Sequence, residues 1–375
     1  MVEITYLENK QLSLLKHLKI AGKKFFELKI HDDLSPIGWH IIHCLYVECI
    51  WIRSQFLDDN ELVNKLKDTA DSINIKPKNR GQSLPSYEYL YKLTRSEFKR
   101  NLIFIESIKE KKKVNYFIQF LINHHSQHLE TIKIILNLIN IKYSIATESC
   151  FSIVEPKLFK FYPINIKRGT FKIGSRNTNN FSYDNEKPLN SIKLEGFQID
   201  KKLIHINQWL GFIEEGGYKN KKFWSKYGWE WKNKNKISLP LGWLFHQNNL
   251  SISTPYGFKK AKKDSPVSNI SYYELEAFAK WVNLNIPHEL QWEASHKKII
   301  NKFNVWEWCN NKFFPYEGFK PYPYKEYSVP WFNNYYYTLK GASIFSEKEL
   351  KRKTFRNFHK ANVRYIFSGG RLSKY

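Results

Sequence analysis

At 375 residues the chain is longer than one core usually serves, so two domains are expected. Its formal charge is +25, yet the lysines are scattered and no nucleic-acid module is recognisable, which does not favour a nucleic-acid partner. The four cysteines form no C-x-x-C pair, no signal-peptide apolar region opens the chain, and no run nears the roughly 20 apolar residues of a membrane span, so a reducing cytoplasm and no membrane partner are expected.

Residues 1 to about 150 read as helical. The stretches 37–56, 86–108 and 114–141 carry apolar residues at three- and four-residue intervals with little Gly or Pro inside. Ser35-Pro36 is a plausible start for the first of them, and K-P-K-N-R-G-Q-S-L-P-S (76–86) is a polar connector. A bundle of about four helices would bury such stripes. After about residue 155 Gly, Pro, Trp and Asn become frequent and apolar runs shorten. R-G-T-F-K-I-G-S (168–175) and L-E-G-F-Q-I-D-K-K-L-I-H (194–205) read as strand material. S-Y-Y-E-L-E-A-F-A-K-W-V-N-L (271–284) reads as an amphipathic helix with Ser271 and Glu274 spaced as a capping box. The expected class is α+β in two domains, 1–150 and 155–375, the second loop-rich.

Histidines carry the chemical signal. His124 and His128 are four apart within an apolar helix, so they share a face and can reach one metal ion; alone, that spacing is a weak signal. His40 and His43 lie on the second expected helix, and a neighbouring helix could aim one of them at the later pair. Three neutral imidazoles leave an octahedral metal three open positions, as in oxygen-activating iron sites; zinc with a water is the chemical alternative. Glu130 could accept a bond from a ligand.

Together these segments resemble the iron site of the ergothioneine-biosynthesis sulfoxide synthases. That family carries S-P-x-x-W-[HD]-x-x-H and a later H-x-x-x-H-x-E-T on a DinB-like bundle, here Ser35-Pro36 to Trp39, His40 and His43, and His124 to His128, Glu130 and Thr131. The second domain of the family resembles the formylglycine-generating enzymes, with a C-type-lectin-like fold. Its landmarks recur in order: R-G-T-F-K-I-G-S (168–175), Y-D-N-E-K-P (183–188), F-I-E-E-G-G-Y (212–218), G-W-E-W (228–231), I-P-H-E-L-Q-W-E (286–293), N-V-W-E-W (304–308), P-Y-E-G-F (315–319) and T-F-R-N-F-H-K-A-N-V-R-Y-I-F-S-G-G-R (354–371). The resemblance covers nearly the whole chain.

The resemblance implies His43, His124 and His128 as ligands of Fe(II), with His40 and His125 as bystanders. It implies O2 as co-substrate and small-molecule partners: a thiol, either cysteine or γ-glutamylcysteine, joined as a sulfoxide to the imidazole C2 of hercynine, in a pocket supplied by the second domain. Tyr324 stands where the family carries a proton-donating tyrosine, Asn357 and Phe358 where it meets the trimethylammonium group, and Gln127 where an amide can reach the substrate imidazole. The γ-glutamylcysteine branch carries Asp and Arg where this chain has His359 and Val363, with Arg364 one further on; His359 and Arg364 complete the candidate substrate contacts, and the change leans toward free cysteine. G-A-S-I (341–344), I-P-H-E (286–289) and Phe303 also depart from the family pattern, which leaves room for another donor or acceptor, such as a 5-histidylcysteine sulfoxide or selenoneine synthase, or for a non-catalytic ligand-binding relative.

Overall fold

The computed structural model describes residues 2–176 and 181–375. The chain is α+β and separates into two compact units: Met1–Ile139 with Ser346–Leu350, and Asn140–Phe345 with Lys351–Tyr375. The division falls within the last long helix rather than in the loop after it, and five late residues return to the first unit.

The first unit is helical: α1 (Val2–Phe25), α2 (Ile37–Glu48), α3 (Gln55–Leu57), α4 (Glu61–Ala70), α5 (Tyr87–Ser107) and α6 (Lys111–Tyr143), with a π-helical turn at Cys49–Ser54 between α2 and α3. A kink at Gly22 (φ 60) interrupts α1, a conformation open to a residue without Cβ. Every residue of α2 is buried, as expected of a helix apolar on all faces. Pro36 occupies the N-cap of α2 without a side-chain cap bond, its fixed φ of −60° leading the chain into the first turn. Ser86 caps α5 by accepting from the backbone N–H of Tyr89. At 33 residues α6 is roughly 50 Å long. Its histidines sit mid-helix.

The second unit contains β1 (Ser152–Ile153), β2 (Pro163–Ile166), β3 (Gly169–Ile173), β4 (Asn190–Leu194), β5 (Phe197–Asp200), α7 (Ile206–Glu214), α8 (Lys226–Lys234), β6 (Trp243–His246), β7 (Asn249–Thr254), β8 (Gly257–Lys260), α9 (Tyr272–Trp281), α10 (Glu289–Ser295), β9 (Trp306–Lys312), β10 (Tyr336–Gly341), β11 (Asn357–Lys360), β12 (Ser368–Gly369) and β13 (Ser373–Lys374). They form small sheets: β1-β7-β6 with β8 also on β7, β11-β10-β9-β12, β13-β5-β2, and β3-β4. All pair antiparallel except β9 with β12. The expected capping box of α9 is present, Ser271 and Glu274 each satisfying the other's backbone N–H. Gly174 closes β3 at φ 87, and a Cβ there would meet the Pro188 carbonyl at 2.5 Å, so the turn requires glycine.

Ile166, Phe197, Ile199, Trp292 and Ile299 form one apolar core of this unit. Three buried cations stand on carboxylates: Arg371 on Glu307 at 2.6 Å, Arg356 on Glu289 at 2.8 Å and Lys340 on Glu293 at 3.0 Å. Each pair also binds backbone or further polar groups, as burial of charge demands. None of the helices is long and apolar enough to cross a membrane, among the described residues.

Candidate metal centre

The first unit brings His43 from α2 together with His124 and His128 from α6, one ring nitrogen of each within 4.8 Å of the others. The two α6 histidines lie one turn apart on one face, with their Nε2 atoms 3.2 Å apart. Two nitrogens bound to one ion at about 2.1 Å stand that far apart at a coordination angle of roughly 100°, between the octahedral and tetrahedral values. The geometry thus fits iron and zinc alike.

The second nitrogen of each ring is occupied, which sets the atom left for a metal. His43 donates from Nδ1 to the carbonyl of Ala70, the last residue of α4, at 2.7 Å. Nδ1 of His128 lies 2.7 Å from Nδ1 of His40, and Nδ1 of His124 lies 3.3 Å from Nδ1 of His125. His125 in turn places Nε2 2.7 Å from Oε1 of Glu48. His40 and His125, expected to be bystanders, therefore touch the two α6 ligand candidates directly. Trp39 stacks on His43 at 4.6 Å and 11°, with its indole N–H on the Thr69 carbonyl, and closes that side of the ring with apolar surface.

Burial pushes the pKa of His43 down to about 4 and that of His40 to about 3, and lowers those of His124 and His128 well below the usual histidine value. Burial is the largest cause in each case, and neighbouring imidazoles add to it. All are therefore neutral at pH 7, the state in which imidazole offers a lone pair. Cys44 also approaches His124 and His125, but burial raises its thiol well above the ordinary value, so it stays protonated and is a poor ligand.

Other expectations fall elsewhere. Glu130 accepts from the Ser346 hydroxyl at 2.8 Å on both oxygens, so its contact is to the returning segment. Gln127 lies half-buried on α6. In the second unit, Asn357, Phe358 and His359 are consecutive on β11, so Asn357 and His359 share one face and Phe358 the other. Phe358 stacks on Phe313 at 4.3 Å and lies near Trp331 and Tyr336. Burial lowers the pKa of His359 to about 4. Tyr324 begins a short 3-10 turn, half-buried and edge-on to Tyr327, and burial with nearby Asp184 raises its hydroxyl pKa. Arg364 is bound to Glu274 at 3.2 Å and to the Leu239 carbonyl, so its charge is already answered inside the fold.

Sequence reasoning missed Glu48. It is fully buried and accepts from Gln11 at 2.9 and 3.0 Å and from Asn101 at 2.8 Å besides its contact with His125. The signal was present: a lone carboxylate within I-G-W-H-I-I-H-C-L-Y-V-E-C-I-W-I (37–52) must be answered by buried donors.

Residues 162–297 match the sulfatase-modifying factor enzyme 1-like domain. The chain is 26% identical over 239 residues to hercynine oxygenase of Mycobacterium tuberculosis, covering 51% of this chain and 56% of that protein. It is 23% identical to hercynine oxygenase of Mycolicibacterium smegmatis over 97% of both chains. A formylglycine-generating enzyme of Thermomonospora curvata is 24% identical over 35% of this chain and 47% of its own length. The first of these alignments thus spans little more than half of its relative, whereas the second covers nearly all of both.

Proposed function

We propose that this chain, which belongs to the ergothioneine sulfoxide synthase type, holds Fe(II) on His43, His124 and His128 and uses O2 to join a thiol to the imidazole C2 of hercynine as a sulfoxide. The observation that carries this reading is the convergence of three neutral imidazoles, two buried and His128 half-buried, whose outer nitrogens are already engaged, in a chain alignable almost end to end with a hercynine oxygenase. Bound Fe(II) would supply electron transfer to O2 and a Lewis-acid seat for a thiolate sulfur.

The chain's own residues do the rest. His43 presents a lone pair at Nε2 because its Nδ1–H donates to the Ala70 carbonyl, while His124 and His128 meet His125 and His40 through Nδ1 and turn Nε2 toward the cluster. Trp39 shields the His43 ring and limits access of water. Tyr324 is proposed as a proton donor; its raised pKa keeps the phenol protonated at neutral pH. Asn357, Phe358 and His359 are proposed to bind substrate, with the ring of Phe358 offering a face to a quaternary ammonium ion, and Gln127 to bind the substrate imidazole. Arg364, paired with Glu274, is proposed to support the fold around them rather than to bind substrate. The neutral His359 and the apolar Val363 favour free cysteine over γ-glutamylcysteine as the thiol.

The reaction balances as thiol plus hercynine plus O2 giving sulfoxide plus water, one oxygen atom ending on sulfur. The test is anaerobic loading with Fe(II), then exposure to O2 with hercynine and each thiol, followed by mass spectrometry. The expected product is the cysteine adduct carrying one added oxygen. Failure to form a sulfoxide from either thiol overturns the proposal.

A further inference from the structure

Among the described residues, one of the three ligand candidates is backed by a buried carboxylate. Glu48 accepts from the Gln11 amide on both oxygens and from the Asn101 amide on Oε2. Asn101 is in turn fixed by Arg53, whose Nε donates to its Oδ1 at 2.6 Å and whose Nη2 meets Glu97 at 2.7 Å. Glu48 is therefore an acceptor held rigidly from several sides, and His125 Nε2 at 2.7 Å must donate to it. A His125 that carries a single ring proton then has a bare Nδ1. That atom faces Nδ1 of His124 at 3.3 Å, and two facing nitrogens need one proton between them, so His124 carries it. Its Nε2 is left as a lone pair, on the side where His128 Nε2 lies 3.2 Å away.

We propose that Glu48 and His125 are positioning residues for the metal: through His125, the Glu48 carboxylate locks His124 in the Nδ1–H form and strengthens donation from its Nε2. The proposal rests on the reading of His43, His124 and His128 as the metal centre. The other two ligands lack this backing. His43 leans on a backbone carbonyl and His128 on a second imidazole, so His124 is the most electron-rich of the three. The π-helical turn at Cys49–Ser54 directly follows Glu48 and carries Arg53, which holds Asn101 against the carboxylate.

The experiment compares the full chain with Glu48→Gln and His125→Phe. Fe(II) affinity is measured anaerobically by competition with a chelator, and Co(II) is loaded to read ligand-field absorption. Both variants are expected to bind Fe(II) about 10–100-fold more weakly and to shift the Co(II) bands, while the metal-free proteins still unfold cooperatively. Folded variants with the wild-type affinity and Co(II) spectrum overturn the relay while leaving the metal centre standing. A wild-type chain that binds neither ion overturns the centre and the relay with it. Nitrogen-15 NMR of the histidine rings in the Zn(II)-loaded wild type tests the relay without any substitution. The expected pattern is a proton on His124 Nδ1 and His125 Nε2; a proton on His124 Nε2 overturns the proposal.

Discussion

His43 donates its Nδ1–H to the backbone carbonyl of Ala70 at 2.7 Å, so the last residue of α4 aims a ring carried by α2. A backbone acceptor cannot be removed by changing a side chain. The orientation of His43 is thus the least sensitive of the three to substitution around it, whereas His124 and His128 depend on the side chains of His125 and His40.

Replacing His43, His124 or His128 by Ala leaves two imidazoles in the cluster. Each variant is expected to retain less than about a tenth of the iron bound by the wild type after anaerobic loading and desalting. Metal analysis checks this, and unchanged iron in His124→Ala would reject the centre.

The returning segment is tied to the bundle by charge. Glu347 meets Lys10 at 2.7 Å and Lys133 at 2.8 Å, and Glu349 meets Lys10 at 2.8 Å. Burial alone would raise the pKa of Glu347, but hydrogen bonds from the two lysines outweigh it and hold it down to about 2. Because the folded value lies below the ordinary 4.5, the stabilisation is complete above that value and fades as pH falls toward 2. Glu347→Gln should cost about 1–3 kcal/mol at pH 7, and the gap to the wild type should close between pH 4.5 and pH 2. Urea unfolding at pH 7, 4 and 3 measures it.

His359 runs the other way in chemistry and the same way in pH. Burial lowers its pKa to about 4, so between 6.5 and 4 the unfolded chain takes up a proton that the folded chain refuses. Stability should fall as pH drops through that window. Relative to His359→Asn, which does not titrate, the wild type should lose about 1–2 kcal/mol between pH 7.5 and pH 5. Chemical denaturation of both proteins at the two pH values reads the difference directly.

Arg364→Ala should act on stability. It leaves the buried Glu274 without its guanidinium, although Tyr218 still donates to that carboxylate at 2.7 Å. A loss of about 2–4 kcal/mol is expected, with little change in KM for either substrate. A double-mutant cycle with Glu274→Gln should show coupling above about 0.5 kcal/mol; a large KM increase with unchanged stability would return Arg364 to the substrate site.

Much of the layout was legible in the sequence because it depends on local pattern. The three-and-four spacing in 114–141 gave a helix, that helix placed His124 and His128 on one face, and Ser271 with Glu274 marked the start of α9. The lone Glu48 in an apolar run announced a buried acceptor, but nothing nearby in the chain showed which donors would answer it. Those donors are Gln11, Asn101 and His125, 37, 53 and 77 residues away, and only packing brings them together.

By itself the sequence determined the helices, the α+β class and the candidate metal-binding histidines, since periodicity and side-chain chemistry belong to the local chain. Tertiary structure decided which nitrogen of each candidate histidine faces which neighbour, that His40 and His125 stand directly behind the two candidate ligands on α6, and that Arg364 is paired with Glu274. A tautomer is set by the hydrogen-bond partner across space, and a charge becomes available or spent according to what is buried beside it. Neither is encoded in the spacing of residues along the chain.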